Sequence, residues 1–473
     1  MPLDPVPGLL SRATELLEKH FGALPACESA ADPAAMAPVL EEVVRRMGDN
    51  YPYFHPLYAG QMLKPPHPVA RAAYALAMKI NPNNHARDGG RASSEMEIEA
   101  VREIAGIFDW TEFLGHLTSS GTLANLEALW VAGQLASGKR MIGSEQAHYT
   151  HQRISAVLKL EYASVAADCR GRMSLDALET ELLKGDVGTV VATLGTTAIG
   201  AVDPLAEILA MRERYNFRVH VDAAYGGYFR LIPEALAEPA QRAFEAISQA
   251  DSIVIDPHKH GLQPYGCGCV LFRDPAVGRF YKHDSPYTYF TSKQLHLGEI
   301  SLECSRAGAS AVALWATQRL LPLVPGGEFA LGLARGRAAA LELDRRLRQD
   351  KTGCFQPLAA GAPELDIVVW KVKAQSLEHH PTDKDLSVGT PEQASGLAQR
   401  IFSACAARDL HLALVQLPAA WFEPATSPES AIAAGTITCL RSVLMKPEHE
   451  AWMDCIWERL TAGCAEVMGE YRS

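Results

Sequence analysis

No part of this 473-residue chain is strongly basic: 44 Lys and Arg stand against 55 Asp and Glu, a net charge of −11 with His neutral. A nucleic-acid or anionic-membrane partner needs a basic face to meet its phosphates, so neither is expected. No run approaches the roughly 20 apolar residues that cross a bilayer, and no basic segment followed by an apolar core opens the sequence. The ten cysteines are scattered without a Cys-x-x-Cys pair, so no disulfide framework, zinc site or other metal centre is expected. Cys267 and Cys269, the one close pair, read as small buried packing residues on a strand. A reducing cytoplasm fits this usage. What is present is ordinary globular material, 48% hydrophobic with a mean hydropathy of −0.03. The chain is too long for one core and implies two or three domains.

The most informative stretch is Ser252-Ile253-Val254-Ile255-Asp256-Pro257-His258-Lys259-His260, followed by Pro264-Tyr265-Gly266-Cys267-Gly268. A β-branched run of the buried-strand type ends in a turn that presents His258 beside Lys259. A lysine partly desolvated at a strand end has an amine freed to condense with a carbonyl group. A second stretch, Val219-His220-Val221-Asp222-Ala223-Ala224-Tyr225-Gly226-Gly227, delivers one carboxylate into small residues where a flat ring could lie. A carboxylate at a buried strand end needs a cation, and the pyridinium nitrogen of pyridoxal phosphate is one.

Together these motifs resemble the group II pyridoxal-phosphate-dependent L-amino-acid decarboxylases, which include aromatic amino acid and glutamate decarboxylases. The similarity runs through the large domain and more loosely to both ends. It implies an α/β fold of type I, aspartate-aminotransferase-like, with a mostly parallel sheet. It also implies an N-terminal helical arm over residues 1–60, a large cofactor-binding domain over 61–327 and a small C-terminal α/β domain over 328–473. In the resembled family the arm clasps a partner subunit, so a homodimer with shared active sites is expected. The implied reaction is α-decarboxylation of an L-amino acid to its amine, with Lys259 linked to the cofactor and Asp222 facing its ring nitrogen. Rival readings are other pyridoxal chemistry on the same fold, an aldehyde-forming oxidative deaminase or a carbon–carbon lyase, or a non-catalytic homologue. Intact Asp222, His258 and Lys259 speak against the last.

Residues 9–24 carry apolar side chains at helical spacing. In the Pro-rich aromatic segment that follows, His55 and Tyr58 match the family's substrate-pocket lining; they read equally as packing at a domain edge. The polar loop 81–91 holds His85, Arg87 and Arg91, candidates for a distal substrate carboxylate, and leads into a helix with a serine cap candidate at Ser93 or Ser94. Tyr58 favours an aromatic substrate, whereas His85 and Arg87 favour an acidic one.

Phe113–Thr118 reads as a strand joined by Ser119-Ser120-Gly121-Thr122 to a helix near Leu123, where amide groups and the positive dipole end suit a phosphate. The family match assigns Ser120, Gly121 and Thr122 to it. His148, after a second strand, corresponds to the ring-stacking histidine, and Thr197 and Ala224 fall near the ring. Asp203 reads as a helix cap. The polar-aromatic segment from Lys282 to Lys293 has no clear period and reads as a catalytic lid. It carries Tyr289, the better match to the family's catalytic tyrosine, with Tyr287 as runner-up. Arg441, in a strand of the small domain, resembles the arginine that holds the substrate α-carboxylate.

Overall fold

The computed structural model describes residues 4–25, 32–85, 88–282, 300–373, 390–422 and 435–472. Seven strands form the main sheet: β1 Leu114–Thr118, β2 Arg140–Ser144, β3 Tyr162–Val165, β4 Val187–Thr193, β5 Arg218–Asp222, β6 Ser252–Ile255 and β7 Gly268–Phe272. Their order is β1-β7-β6-β5-β4-β2-β3, and β7 alone runs antiparallel to its neighbours. Every residue of β4 and β6 is buried. That is why these strands read as unbroken apolar runs rather than alternating ones: helices cover both faces of a parallel sheet. In register, Thr193 pairs with Asp222 and Asp222 with Val254, so the carboxyl ends of β4, β5 and β6 lie side by side. Ligands of open α/β sheets bind beyond such ends.

A second sheet, of four antiparallel strands, comprises β8 Phe355–Pro357, β9 Ile367–Val372, β10 Ala413–Pro418 and β11 Thr436–Val443, ordered β10-β11-β9-β8. Arg441 lies on β11 opposite Val369 and Ala413. The expected α/β architecture and mostly parallel sheet are therefore what the structure contains.

The N-terminal helix covers Val6–His20, and a second covers Pro33–Met47. None of the second helix's residues is buried, and Val39, Leu40, Val43, Val44 and Met47 stand exposed.

Two expected caps are corrected. The helix after the polar loop begins at Arg91, with Gly90 rather than a serine at its cap. Ser93 instead donates its hydroxyl to Asn84 Oδ1, whose amide reaches Glu97 Oε2 at 2.6 Å. Arg306 closes this buried network through Glu97 Oε1 and the Leu117 carbonyl, so loop residue Asn84 is anchored inside the molecule. Asp203 is not a cap: Pro204 occupies that position, and the fully buried Asp203 carboxylate accepts the Met173 and Thr193 amides, both at 2.7 Å. Burial pushes its pKa up to about 7, against the pull of those two amides.

Candidate active site

A cavity of about 190 Å³ opens at the carboxyl ends of β1, β4, β5 and β6. Its first wall is the start of helix Gly121–Leu135. Ser120 is the N-cap, extended at φ −167°, and its Oγ accepts the Leu123 amide at 3.2 Å. The free amides of the first turn and the positive end of the helix dipole suit an anion. A Cβ at position 121 would overlap the Asp256 carboxylate, so glycine there lets the helix start lie against that side chain. Ser120, Gly121 and Thr122 all line the cavity.

Asp222 forms the opposite wall. It is buried, with Oδ1 accepting the Ala224 amide at 3.1 Å and Oδ2 lying 2.8 Å from His151 Nε2. Burial alone would raise its pKa, but the hydrogen bond from His151, with Lys259 nearby, holds the carboxyl well below the usual range. Asp222 therefore meets the cavity as an anion. His148 lines the cavity with Nδ1 2.7 Å from Thr150 Oγ1, and burial lowers its pKa despite the nearby Asp222.

Lys259 projects from the turn after β6, with Nζ 3.1 Å from Asp256 Oδ2. His258 beside it is held by Nδ1, 2.7 Å from the Cys267 carbonyl. Thr197 and Ala224 also face the cavity. Two buried polar atoms on its lining residues, Thr193 Oγ1 and Asp256 Oδ1, have no hydrogen-bond partner in the protein.

Arg441 reaches the same region from the second sheet. Its Nη2 donates to the Thr197 carbonyl at 2.7 Å and its Nη1 to Gln61 Oε1 at 3.0 Å, while its buried Nε–H meets no acceptor. Among the described residues no carboxylate lies within ion-pair distance of it, and burial lowers its pKa. The guanidinium is thus positioned with unspent positive charge near Thr197.

The sequence-assigned residues do not all converge. Ser120, Gly121, Thr122, His148, Thr197, Asp222, Ala224, His258 and Lys259 share one cavity. His55 and Tyr58 do not line it. His55 Nδ1 accepts the Leu57 amide and its ring packs edge-on to Trp452 at 4.8 Å. Tyr58 is buried, edge-on to Tyr53 at 4.8 Å, with the Lys446 ammonium bound to its carbonyl at 2.6 Å. Arg87, Tyr287 and Tyr289 lie outside the described residues. His151, Gln61 and Asp256 had no role from sequence. Only His151 carried a usable signal, as a second histidine three residues after His148.

The residues present fit pyridoxal phosphate: an anion cradle at a helix start, an anionic carboxylate for a ring nitrogen and a lysine for its carbonyl, with two unpartnered polar atoms between. Comparison with known proteins agrees. The family model "Pyridoxal-dependent decarboxylase conserved domain" matches residues 52–324. The L-tyrosine decarboxylase of Enterococcus faecium is 29% identical over 451 aligned residues, covering 72% of each chain. A probable L-tyrosine/L-aspartate decarboxylase of Methanothermobacter thermautotrophicus is 29% identical over 318, covering 66% of this chain and 82% of its own. Among solved structures, Oryza sativa TDC with PLP and tryptamine superposes with a TM-score of 0.75 at 17% identity, covering 99% of both chains.

Proposed function

The chain belongs to the pyridoxal-dependent decarboxylase family and decarboxylates an amino acid with pyridoxal phosphate as cofactor; from that premise we propose that the Lys259 cavity is where an L-amino acid loses its α-carboxyl group as carbon dioxide. Once bound, the cofactor supplies an electron-withdrawing ring that takes up the electron pair left by the breaking bond. Every other task falls to side chains of this chain. Lys259 would hold the bound cofactor by its carbonyl group, a place the substrate amine would then take. Ser120, Gly121 and Thr122 would receive the phosphate, Asp222 would face the ring nitrogen, and His148 would cover the ring. Thr197, Ala224 and His258 complete the walls.

Arg441, oriented by Gln61 and the Thr197 carbonyl, takes the α-carboxylate through its planar fork and sets that bond across the ring plane. The candidates for contact with the substrate side chain remain Arg87, His55 and Tyr58, the last two outside the lining of the described cavity. Tyr289, with His148, returns a proton to the α-carbon. The observation that carries the reading is the meeting of Lys259, Asp222 and the Ser120–Thr122 helix start around one cavity, drawn from three strand ends.

The test is incubation of purified protein and cofactor with each of the twenty amino acids and common non-protein ones, with amine detected by mass spectrometry. Tyrosine and aspartate come first, since the relatives above carry those names. Amine from none of them sinks the proposal. If Arg87 reads an acidic side chain, Arg87→Ala raises KM for the acidic substrate alone.

The protein is further proposed to be a homodimer of three-part chains, with an arm over 1–60, a large domain over 61–327 and a small domain over 328–473. The apolar face of helix Pro33–Met47, exposed in the single chain, supports a covering second copy. Among the described residues no helix is long and apolar enough to cross a membrane. Nine described cysteines are free thiols, which supports the proposed reducing cytoplasm.

A further inference from the structure

His151 has no part in the reading above, although it is fully buried at the site's centre. It sits in the first turn of helix Thr150–Val157 with Nε2 2.8 Å from Asp222 Oδ2. Facing a carboxylate, Nε2 carries the hydrogen and donates it. Nδ1 is enclosed and meets no partner. A second N–H at Nδ1 would therefore be buried without an acceptor, which is unfavourable. The imidazole thus serves Asp222 best as a single donor through Nε2.

The groups around the pair reinforce this arrangement. His220 lies edge-on, 6.3 Å from His151 between ring centroids, and is itself occupied by Ser252 Oγ at 2.9 Å and Asn125 Oδ1 at 2.8 Å. Lys259 and His148 approach from the cavity side. Ala224 fixes the other carboxylate oxygen. No other described side chain hydrogen-bonds Asp222, so removal of His151 leaves a buried carboxylate with one backbone partner.

When a pyridine nitrogen faces such a carboxylate, one proton lies between two bases. A buried carboxylate stripped of its donor is the stronger base and draws that proton to itself; one that accepts a hydrogen bond is weaker and leaves the proton on the ring. We propose that His151 is a positioning residue whose Nε2–H holds Asp222 as an oriented carboxylate and thereby keeps the shared proton on the pyridine nitrogen of the bound cofactor. This rests on the reading of the Lys259 cavity as the cofactor site. The proton moves only between the ring nitrogen and Asp222, with no change in electron count.

The test uses full-length protein reconstituted with pyridoxal phosphate carrying ¹⁵N at the ring nitrogen, whose chemical shift separates protonated from unprotonated pyridine. Wild type and His151→Gln, whose side-chain amide reaches the place of Nε2, are expected to show the protonated shift. His151→Phe is expected to move toward the unprotonated shift and to bind cofactor roughly tenfold more weakly, the factor for one lost hydrogen bond to a charged group. His151→Asn, polar but too short to reach Asp222, is the second variant should the phenylalanine not fold, and is expected to behave like it. A wild-type shift in either His151→Phe or His151→Asn overturns the role of His151 while leaving the site reading intact. A wild-type shift in Asp222→Ala, or no cofactor binding by wild type, overturns the site reading and the inference with it.

Discussion

Lys259 Nζ lies 3.1 Å from Asp256 Oδ2, so the amine assigned to the cofactor is paired within its own turn. Before it can reach a carbonyl in the cavity it must leave that carboxylate, and the contact opposes the move. Asp256→Asn should therefore speed the appearance of the lysine-linked cofactor absorbance on mixing apoprotein with pyridoxal phosphate at pH 7. The gain expected is roughly fivefold, the equivalent of about 1 kcal/mol of partly exposed ion pairing. Lys259→Ala should show neither that absorbance nor amine production. A stopped-flow trace unchanged by Asp256→Asn counts against the pairing; turnover by Lys259→Ala counts against the site.

Arg441 should show its role in KM. Arg441→Gln removes the fork for the α-carboxylate, and loss of about 1.5–3 kcal/mol of charge-assisted hydrogen bonding raises KM by roughly 10- to 150-fold. Arg441→Lys keeps a charge without the planar fork and should fall between. Steady-state kinetics on the substrate found by the amine screen decides this, and equal KM values for all three proteins refute it.

Lys446 gives a pH dependence of definite sign. It is 3% exposed, and burial pushes its ammonium from the usual 10.5 down to about 7. Below pH 7 it is charged whether folded or unfolded, so the full cost of burying the charge is borne. Between about 7 and 10.5 the folded state sheds its proton first, and stability rises with pH by at most roughly 1.4 kcal/mol per unit. Lys446→Met has no proton to shed. Its stability relative to wild type should be most favourable below pH 7 and decline toward pH 10, measured by denaturant unfolding at pH 6.5, 8 and 9.5. Parallel curves for the two proteins contradict the assignment.

Tyr289 is proposed as the acid that protonates the α-carbon. Tyr289→Phe keeps a ring that excludes water but removes the proton, leaving the electron-rich carbon open to oxygen. Amine should fall while aldehyde, ammonia and hydrogen peroxide rise under air, all quantified in one assay. Loss of amine in Tyr287→Phe but not in Tyr289→Phe transfers the role to the other tyrosine.

Much of this site was legible because its residues sit where sequence patterns end. Asp222 and Lys259 stand at the ends of β-branched runs of the buried-strand type, and Ser120 opens a helix after a serine-rich turn. Gln61 was not legible and His151 only faintly so, because each acts through a partner far away in the chain, Arg441 and Asp222 respectively. Tyr58 read in sequence equally as pocket lining or as packing at a domain edge, and in the single chain its ring lies edge-on to Tyr53. The serine cap failed for a related reason, since Ser93 forms a buried network with Asn84 and Glu97 that no local rule anticipates.

Arg441 belongs to the small sheet yet donates to the carbonyl of Thr197, which follows a strand of the large one. One guanidinium thus joins the two halves of the molecule at the point proposed for the substrate's carboxylate. A substrate that occupies its unspent N–H groups adds a third body to that joint and stiffens it. Affinity for the amino acid and rigidity between the sheets then rise and fall together, and any change that lets the small sheet rotate, however remote from the cavity, is felt as weaker substrate binding.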